Sequence, residues 1–594
     1  MAFARKRTES LSSVDVAWYQ MEDPTNLMMI TGLIVFDEPI DYERLRATLE
    51  TRLVGQFRRF RQRVIQKTTR FGRPYWEEDP HFDISSHLHR IGIPEPGDHD
   101  ALQTLVSDLM SQPLDFSKPL WQFHLVEGYG ERSALLLRLH HCIADGIALV
   151  QVMLSLTDPD RDAPIVTPPP ATRRRKAWNP LAPVTRPAAA AINLSTKALN
   201  TTVNTSARVA RNPEYLVDLA RSGSDVALTT ARLLLMGPDP KTAYKGKLGV
   251  AKRAAWSEPI SLEDVKLIGR AVGGTVNDVL MSAVAGAMGR YLASRGSTVD
   301  ELNVRALIPV NLRPPGARLT MGNKFGLVFL SLPLGIEDPV DRLRELKRRM
   351  DGLKNTSEPI VAFGILGLIG MMPNRIEDVV VDIFGTKGTV VLTNVPGPRE
   401  QLYFAGAGID NMMFWVPQSG RLGIGISIMS YNGKVMIGVA TDARLIPEPE
   451  AVIASFHEEL AALRDETRAR LIATAAQFDV VAASDQEAET PAAEPEDLDI
   501  ALARIVSASQ QAASDAPSQA VWVAPEGGDD LTLIRGIGPA FASRLAEADV
   551  ISFADVATSS PEALQAIIAA PDWRHPDYQD WIEQAQRLAD DTSG

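Results

Sequence analysis

Two adjacent histidines, His140 and His141, follow a strongly apolar segment and precede Asp145 and Gly146 in the order H-H-x-x-x-D-G. The whole chain contains 9 histidines, so a pair beside an apolar segment is uncommon. Histidine is the side chain best suited to take up a proton near neutral pH. The cluster therefore predicts an acid–base site, and the alternative interpretation is a core histidine beside a surface Asp-Gly turn.

The elements around this cluster limit what each residue can do. Residues 133–140 predict a strand, on which neighbouring side chains point to opposite faces. We therefore expect one histidine to face a cavity and the other to pack into the fold, without acting as a pair. Asp145 would fix the turn or pair with a distant arginine, and Gly146 would leave room for a substrate near the backbone. Cys142 would point away from His141, so we interpret it as a packing residue rather than a nucleophile.

Composition excludes several classes of protein. The chain has 594 residues and a net charge of −13, which disfavours a general nucleic-acid binder. Its single cysteine rules out an intrachain disulfide and indicates a reducing compartment. No further cluster of histidine or cysteine supports a metal site, so we predict none. Residues 1–13 lack the apolar segment of a secretory signal.

Alternating helix and strand patterns predict a mixed α/β fold in two blocks. The predicted strands are residues 30–36, 133–140, 304–310, 325–334, 423–429 and 435–440, the last two joined by a hairpin turn at Asn432-Gly433. The predicted helices are residues 42–53, 147–156, 194–210, 215–235 and 449–472. The apolar run 361–372 is shorter than the about 20 residues that span a bilayer. It predicts a core helix, with a partly inserted interfacial segment as the alternative.

Changes of composition divide the chain into five segments. We predict lobes at 1–160 and 246–475, separated by a Pro-, Ala- and Arg-rich linker with crossover helices at 161–245. An acidic linker at 476–528 precedes a small all-α module at 529–594. The basic cluster at 173–176 and the neighbouring helix 215–235 would pack on protein or lie on a membrane surface.

Several short motifs occur in the order found in one family. They are Leu11-Ser12-Ser13-Val14-Asp15 with Trp18, Phe60-Arg61-Gln62-Arg63-Val64, Pro119-Leu120-Trp121, Asn277-Asp278-Val279, Pro309-Val310-Asn311-Leu312-Arg313 and Asn394-Val395-Pro396-Gly397-Pro398. With the H-H-x-x-x-D-G sequence, they make residues 11–472 resemble the bacterial wax ester synthase/diacylglycerol acyltransferase family. The histidine motif is shared with a wider superfamily that includes chloramphenicol acetyltransferase, carnitine acyltransferases and peptide-synthetase condensation domains, so this motif alone does not identify the substrate.

The resemblance implies a fold and a reaction. We expect two chloramphenicol-acetyltransferase-like lobes with a central tunnel that acyl-CoA and an alcohol enter from different sides. His141 would take the hydroxyl proton, and the alkoxide would attack the thioester without an acyl-enzyme. The acceptor would be diacylglycerol or a long-chain alcohol, with acyl-CoA as co-substrate and no other cofactor. The same chemistry on a polyketide, glycolipid or amine, or a non-catalytic lipid- or CoA-binding scaffold, remain alternatives.

The resemblance also implies roles for the other motif residues. His140 and Gly146 would complete the catalytic cluster, while Asp145 would be structural, with Arg313 as its ion-pair partner. Asn277 would support the site, stabilise the oxyanion or cap the following helix. The remaining motif residues would pack around the site, namely Asp278, Pro119, Leu120 and Trp121.

The C-terminal segment departs from the family. Residues 533–539, L-I-R-G-I-G-P, are similar to a helix-hairpin-helix module, whose glycine turn can present backbone amides to phosphates. The acidic surroundings favour a protein partner over nucleic acid for residues 529–594. The resemblance as a whole predicts a cytoplasmic protein, peripherally associated with the inner membrane or with lipid inclusions.

Overall fold

The chain divides into two compact units, Met1–Val480 and Val481–Gly594. The computed structural model describes residues 8–66, 73–165, 229, 232–233, 235–313, 321–353, 356, 358–369, 385–418, 422–484, 528–534, 537, 539–568 and 578–592. The basic cluster at 173–176, the predicted helix 194–210 and nearly all of 215–235 lie outside the described residues, as does most of both predicted linkers.

The described strands and helices are labelled in chain order. The strands are β1 Glu9–Ser10, β2 Met29–Phe36, β3 Gln62–Ile65, β4 Tyr75–Glu78, β5 Leu88–Gly92, β6 Trp121–Tyr129, β7 Arg132–His140, β8 Thr157–Asp158, β9 Lys252–Trp256, β10 Ile260–Ser261, β11 Asn303–Asn311, β12 Phe325–Pro333, β13 Val390–Pro396, β14 Tyr403–Phe404, β15 Ala407–Trp415, β16 Ile424–Tyr431 and β17 Lys434–Asp442. The helices of the first unit are α1 Ser13–Gln20, α2 Tyr42–Thr48, α3 His99–Met110, α4 Gly146–Leu156, α5 Leu262–Ala271, α6 Val276–Ser294, α7 Pro339–Leu353, α8 Glu358–Ile369 and α9 Pro449–Ser484. The predicted helix 42–53 is α2 continued by a π-helical turn, Leu49–Val54.

The first large sheet holds the strand that ends at the histidine pair. Among the described residues its order is β5-β6-β7-β2-β15-β14-β8, so β7 is a central strand. Leu135, Leu137 and Leu139 pack into one core cluster, and Ala134 and Leu136 into another. Both faces of β7 are therefore buried, which explains its nearly continuous apolar sequence.

One strand from late in the chain completes this sheet. β15 pairs antiparallel with β2, and its Trp415 lies opposite Thr31. β2 pairs on its other side with β7, where Met29 lies opposite His140. The second half of the chain is thus built into the sheet that positions the histidines.

The second large sheet has the order β10-β17-β16-β13-β11-β12, with β9 added on β17. β11, β13 and β16 are parallel, so their carboxyl ends lie at one edge. β16 and β17 form the predicted hairpin, and its turn residues Asn432 and Gly433 have φ values of 47° and 75°. Positive φ at both positions is the requirement of a type I′ turn, which Asn-Gly meets at low cost.

The apolar run at 361–372 begins inside a core helix. Val361 is fully buried in α8, and Ala362 and Ile365 are also buried, while residues 370–372 lie outside the described residues. No single described helix is long and apolar enough to cross a bilayer. The pair α5 and α6, bent by 95°, passes the same test on length and composition. The apolar side chains of α6, such as Val279 and Met288, lie in the protein core.

The second unit is all-helical in its described part. A 3₁₀ turn at Leu531–Leu533 precedes α10 Pro539–Glu547, α11 Phe553–Thr558, α12 Pro561–Ile568 and α13 Tyr578–Thr592. Leu531, Ile534, Leu545 and Trp581 belong to its own hydrophobic core. The predicted small all-α module is therefore present in this unit.

Candidate active site

His141 is the first residue after β7, and three separate elements hold it. Its amide N–H donates to the Met28 carbonyl oxygen at 2.7 Å, and its carbonyl oxygen accepts from Asn323 Nδ2 at 2.9 Å. Its ring stacks on Trp18 with 4.0 Å between ring centroids and 14° between planes. The Phe325 ring lies 5.7 Å away. These contacts fix both the backbone and the ring plane of His141.

The surroundings of His141 keep its imidazole neutral. Only 5% of the residue is exposed, and this burial lowers its pKa to about 4, because the charged form loses its hydration. The charge of Asp145, the carbonyl oxygen of His141 itself and the Asn323 side chain act in the opposite direction. At pH 7 the ring is therefore unprotonated, which is the state that a general base requires.

His140 has a different environment, as the alternation along the strand predicts. Its Nδ1 accepts from the Cys142 amide at 3.1 Å, so a neutral ring carries its proton on Nε2. Nε2 lies 3.4 Å from the Glu22 carboxylate. The ring packs against Phe116 at a centroid distance of 5.6 Å. His140 is therefore enclosed by its own lobe, and it organises the turn that carries His141.

Both carboxylate oxygens of Asp145 have structural partners. Oδ1 accepts from the Ala148 amide at 2.9 Å and caps the N-terminus of α4. Oδ2 receives Arg313 Nη1 at 2.6 Å and the Lys324 amide at 2.8 Å. The Arg313 Nη2 donates in turn to the Gly322 carbonyl oxygen at 2.8 Å. Asp145 thus ties the histidine loop to the turn before β12, and both of its oxygens accept hydrogen bonds.

The two small residues of the motif differ in their surroundings. Cys142 is fully buried, and burial raises the pKa of its thiol well above the usual value. A protonated, inaccessible thiol is a poor nucleophile, consistent with a packing role. Gly146 is the first residue of α4, and no described atom lies within 4 Å of a Cβ built on it. Among the described residues, the space beside Gly146 is therefore open.

Asn277 does not cap helix α6, so this predicted alternative is wrong. Thr275 is the N-cap, and its side chain and that of Asp278 form a reciprocal capping box. A threonine hydroxyl three residues before an acidic side chain satisfies the free amides at the helix start, which leaves Asn277 available for other contacts. Its Oδ1 accepts from Asn394 Nδ2 at 2.6 Å.

The Asn277–Asn394 pair involves the second large sheet, whereas His141 follows β7 of the first. Asn394 is near the carboxyl end of β13, which is the neighbour of β11, and β12 follows β11. The start of β12 is Phe325, paired with Asn311 at the carboxyl end of β11. In the sheet order, β11 alone separates β13 from β12. Asn394, the partner of Asn277, and Phe325, whose ring lies 5.7 Å from that of His141, therefore belong to strands of the same sheet.

The residues of the P-L-W motif lie in the core. Leu120 and Trp121 are buried, and Trp121 Nε1 donates to the Phe60 carbonyl oxygen at 2.9 Å. The Leu120 carbonyl oxygen accepts the His140 amide at 3.0 Å. Pro119 is buried beside them. These residues support the end of β7 rather than facing an open space.

Sequence reasoning did not single out Asn323 or Glu22. Asn323 follows a glycine before an apolar strand, where a polar residue has no distinctive chemical signal. It is 4% exposed and bonds Asp15 through both its backbone and its side chain. Glu22 Oε2 accepts the Met28 amide at 2.5 Å, beside the carbonyl that holds His141. Only their contacts across the fold show that these residues belong to the site.

Two further searches concern metal ions and cavities. Within the described ranges, no group of three or more His, Cys, Asp and Glu side chains is placed to hold a metal ion. A cavity between the two large sheets is lined by residues that include Thr31, Lys252 and Gln418, but not His141. The predicted tunnel to His141 therefore stays a prediction.

Comparisons with known proteins agree with this fold. The model of the wax ester synthase/diacylglycerol acyltransferase catalytic domain matches residues 11–280, and that of the WS/DGAT C-terminal domain matches residues 321–464. The RS2/RL21/YNQ2 HHH domain model, a helix-hairpin-helix family, matches residues 531–589. The third match falls on the unit predicted to be a helix-hairpin-helix module.

Similar proteins and structures define the class. A putative diacylglycerol O-acyltransferase of Mycobacterium bovis is 30% identical over 396 residues, covering 65% of this chain and 82% of that protein. A putative diacylglycerol O-acyltransferase of Mycobacterium tuberculosis is 28% identical over 473 residues, covering 76% of this chain and 89% of that protein. The structure of a wax ester synthase/diacylglycerol acyltransferase from Marinobacter aquaeolei VT8 superposes with a TM-score of 0.56 at 23% identity, covering 77% of this chain and 99% of that one.

The matched catalytic and C-terminal domain models and the similar proteins define the chain as an acyltransferase. Within that class, the chain belongs to the wax ester synthase/diacylglycerol acyltransferase family. Both predictions, of the fold and of the family, are confirmed.

Proposed function

We propose that this protein transfers a long-chain acyl group from acyl-CoA to the hydroxyl of diacylglycerol, of a long-chain alcohol or of both. His141 is the general base. The observation that carries the proposal is the buried, neutral imidazole of His141, whose backbone and ring are fixed by contacts to Met28, Asn323 and Trp18. The choice of acyl-CoA as donor and of an alcohol as acceptor is based on membership of the family.

The reaction needs no covalent enzyme intermediate. The imidazole accepts the hydroxyl proton while the alcohol oxygen bonds to the thioester carbonyl carbon, giving a tetrahedral oxyanion. The C–S bond then breaks, and the CoA thiolate takes the proton back from the imidazolium. The charge of Asp145 favours the protonated imidazole, so it stabilises the ring when it carries the proton. With a pKa of about 4, His141 is a weak base at rest. Proton transfer is therefore expected to accompany attack.

Asn277 is proposed to support this step from the second lobe. Its Oδ1 is occupied by Asn394, so its Nδ2 remains as a donor. An amide donor near a developing oxyanion stabilises the tetrahedral state, and removing one such donor typically costs about 10²–10³ in rate. Its partner Asn394 lies on β13, in the same sheet as Phe325, whose ring lies 5.7 Å from that of His141.

The substrates suggest where the protein works. Acyl chains and diacylglycerol partition into membranes and lipid inclusions, so we propose peripheral association of a cytoplasmic protein with such a surface. The helix-hairpin-helix unit is proposed to bind a protein partner. Flotation of the purified protein with liposomes tests the first part, and recovery in the lipid-free fraction contradicts it.

The decisive experiment measures CoA release from palmitoyl-CoA with hexadecanol and with diacylglycerol. His141→Gln is compared with His124→Gln, because His124 is exposed to the same extent, 5%, and lies outside the loop. We expect His141→Gln to lose about 10²–10⁴ in rate and His124→Gln to stay close to wild type.

The other outcomes of this experiment are equally informative. Unchanged turnover in His141→Gln contradicts the mechanism. Wild-type protein that is inactive with both acceptors contradicts the proposed substrates, and an acceptor screen with polyketide alcohols, glycolipids and amines then follows. Acyl-CoA binding without turnover of any acceptor indicates a scaffold.

A further inference from the structure

The Asn323 side chain makes two contacts that together fix its amide. Its Nδ2 donates to Asp15 Oδ1 at 2.8 Å and to the His141 carbonyl oxygen at 2.9 Å. Its backbone N–H donates to the same Asp15 oxygen at 3.1 Å. Both donor hydrogens of the amide are therefore used, and one of them holds the residue that carries the imidazole.

Asp15 itself is held in place. It is 3% exposed and lies in the first turn of α1, where its backbone N–H donates to the Ser12 side chain at 3.1 Å. Trp18 follows three residues later and therefore lies on the same face of the helix. One helix face thus supplies both the anchor of Asn323 and the aromatic plane on which His141 stacks.

Two buried atoms next to these contacts have no hydrogen-bond partner within the described structure. They are Asn323 Oδ1, which is an acceptor, and His141 Nδ1. The carbonyl oxygen of His141 itself and the side chain of Asn323 both favour the protonated ring of His141, the carbonyl oxygen more strongly. Because the Nδ2 hydrogens of Asn323 are already used, Oδ1 is the atom of that side chain that can accept from the ring. If Nδ1 carries the proton, it is a buried donor beside this buried acceptor, and pairing then satisfies two atoms that are costly to leave without partners.

We infer that Asn323, anchored by Asp15, is a positioning residue that holds the proton of neutral His141 on Nδ1 and so leaves the Nε2 lone pair free to accept the hydroxyl proton. This inference rests on the proposed function, because it gives that reaction its reactive nitrogen. The two nitrogens of a histidine are distinct, and the partner of one determines which of them can act as the base. In triad enzymes a carboxylate fills this position. Here the partner is a neutral amide.

The first measurement is the tautomer of His141 in the full-length protein. ¹⁵N-histidine labelling and NMR report which ring nitrogen carries the proton, and the His141 signal is assigned by its loss in His141→Gln. We expect the proton on Nδ1 in wild type and a mixture of tautomers in Asn323→Ala. A wild-type proton on Nε2 overturns the inference, and this result requires no variant of Asn323 to fold.

The second measurement is kinetic. Asn323→Ala is expected to lower kcat by about 10–100-fold, part of the about 10²–10⁴ that a general base supplies, while KM for acyl-CoA changes little. Asn323→Ser, whose short hydroxyl cannot replace the amide, is expected to behave in the same way. The matched control is Asn303→Ala, because Asn303 lies opposite Pro333 at the far end of the β11–β12 ladder. A wild-type kcat in both Asn323 variants overturns the inference.

The two proposals fail in different ways. If His141→Gln abolishes turnover but the Asn323 variants keep the wild-type rate, the proposed function is supported and the positioning role of Asn323 is contradicted. If the wild-type protein shows no turnover but carries the His141 proton on Nδ1, and Asn323→Ala loses this preference, the positioning role stands and the proposed substrates fall.

Discussion

Arg313 and Asp145 form a buried ion pair, with 2.6 Å between Nη1 and Oδ2, across 168 residues of sequence. It joins the loop after the histidine pair to the segment between β11 and β12. Their side chains are 7% and 4% exposed, so neither charge is solvated by water. The geometry of the site therefore depends on an interaction between the two halves of the chain.

Arg313→Met is expected to reduce the free energy of unfolding by about 3–5 kcal/mol, because it leaves the Asp145 charge buried without its partner. Urea unfolding followed by tryptophan fluorescence measures this change. Adding Asp145→Asn to the Arg313→Met variant removes the unpaired charge. The double variant is therefore expected to be more stable than Arg313→Met alone. A double variant that is less stable contradicts this account.

Gly146→Ala tests whether the open space at the start of α4 is substrate space. Alanine fits the helix, so stability should be unchanged or raised by about 0.4–1 kcal/mol. If the acceptor or the thioester occupies the space beside Gly146, kcat/KM for CoA release should fall. Thermal unfolding and steady-state kinetics on the same preparation separate the two effects. Wild-type kinetics in Gly146→Ala would show that the substrates bind elsewhere.

Cys142 is expected to resist modification. Its thiol is fully buried and its pKa is raised by burial, so both access and thiolate formation are suppressed. Native protein should remain unlabelled by iodoacetamide at pH 8, and urea-unfolded protein should be labelled at its single cysteine, as mass spectrometry can show. Cys142→Ala should retain CoA release. Inactivation of native protein by iodoacetamide would contradict the packing role.

Acid should destabilise the fold through its buried histidines. Burial lowers the pKa of His124 to about 3 and that of His141 to about 4, below the about 6.5 of an unfolded histidine. The unfolded state therefore binds more protons in this range. The contribution of these neutral histidines to the free energy of unfolding is fully present above pH about 6.5, and it is lost progressively as the pH drops toward 4.

His124→Gln tests this linkage by removing one of the titrating groups. Each buried histidine contributes a slope of up to about 1.4 kcal/mol per pH unit, so the variant should show a shallower dependence between pH 5 and 6.5. Urea unfolding at several pH values measures the slope. His81→Gln is the control, because His81 is exposed. Equal slopes in wild type and His124→Gln would contradict the role of burial.

Deletion of residues 485–594 is expected to leave CoA release unchanged, because the proposed site residues lie within the unit Met1–Val480. The deletion is compared with full-length protein for turnover and for flotation with liposomes. Loss of turnover in a folded deletion variant would assign the helix-hairpin-helix unit a role in catalysis. Loss of flotation alone would assign it a role in localisation.

Local patterns were sufficient to predict much of the framework. The apolar run before His140 predicted β7, and the Asn-Gly pair predicted the turn between β16 and β17. Alternation along a strand predicted different environments for His140 and His141. These features depend on residues within one element, so their physics is contained in short stretches of sequence.

Other features arise from contacts between residues far apart in the chain. Asn323 reaches both Asp15 and His141, and β15 inserts beside β2 in the first sheet. The N-cap of α6 is Thr275 and not Asn277, because the backbone geometry determines which residue lies at the start of the helix. The sequence by itself determined the fold class, the family and the histidine loop, because periodicity and short motifs can be recognised without knowing which distant residues are in contact. Only the tertiary structure decided which distant side chains hold His141, because hydrogen bonds and ion pairs depend on distance in space.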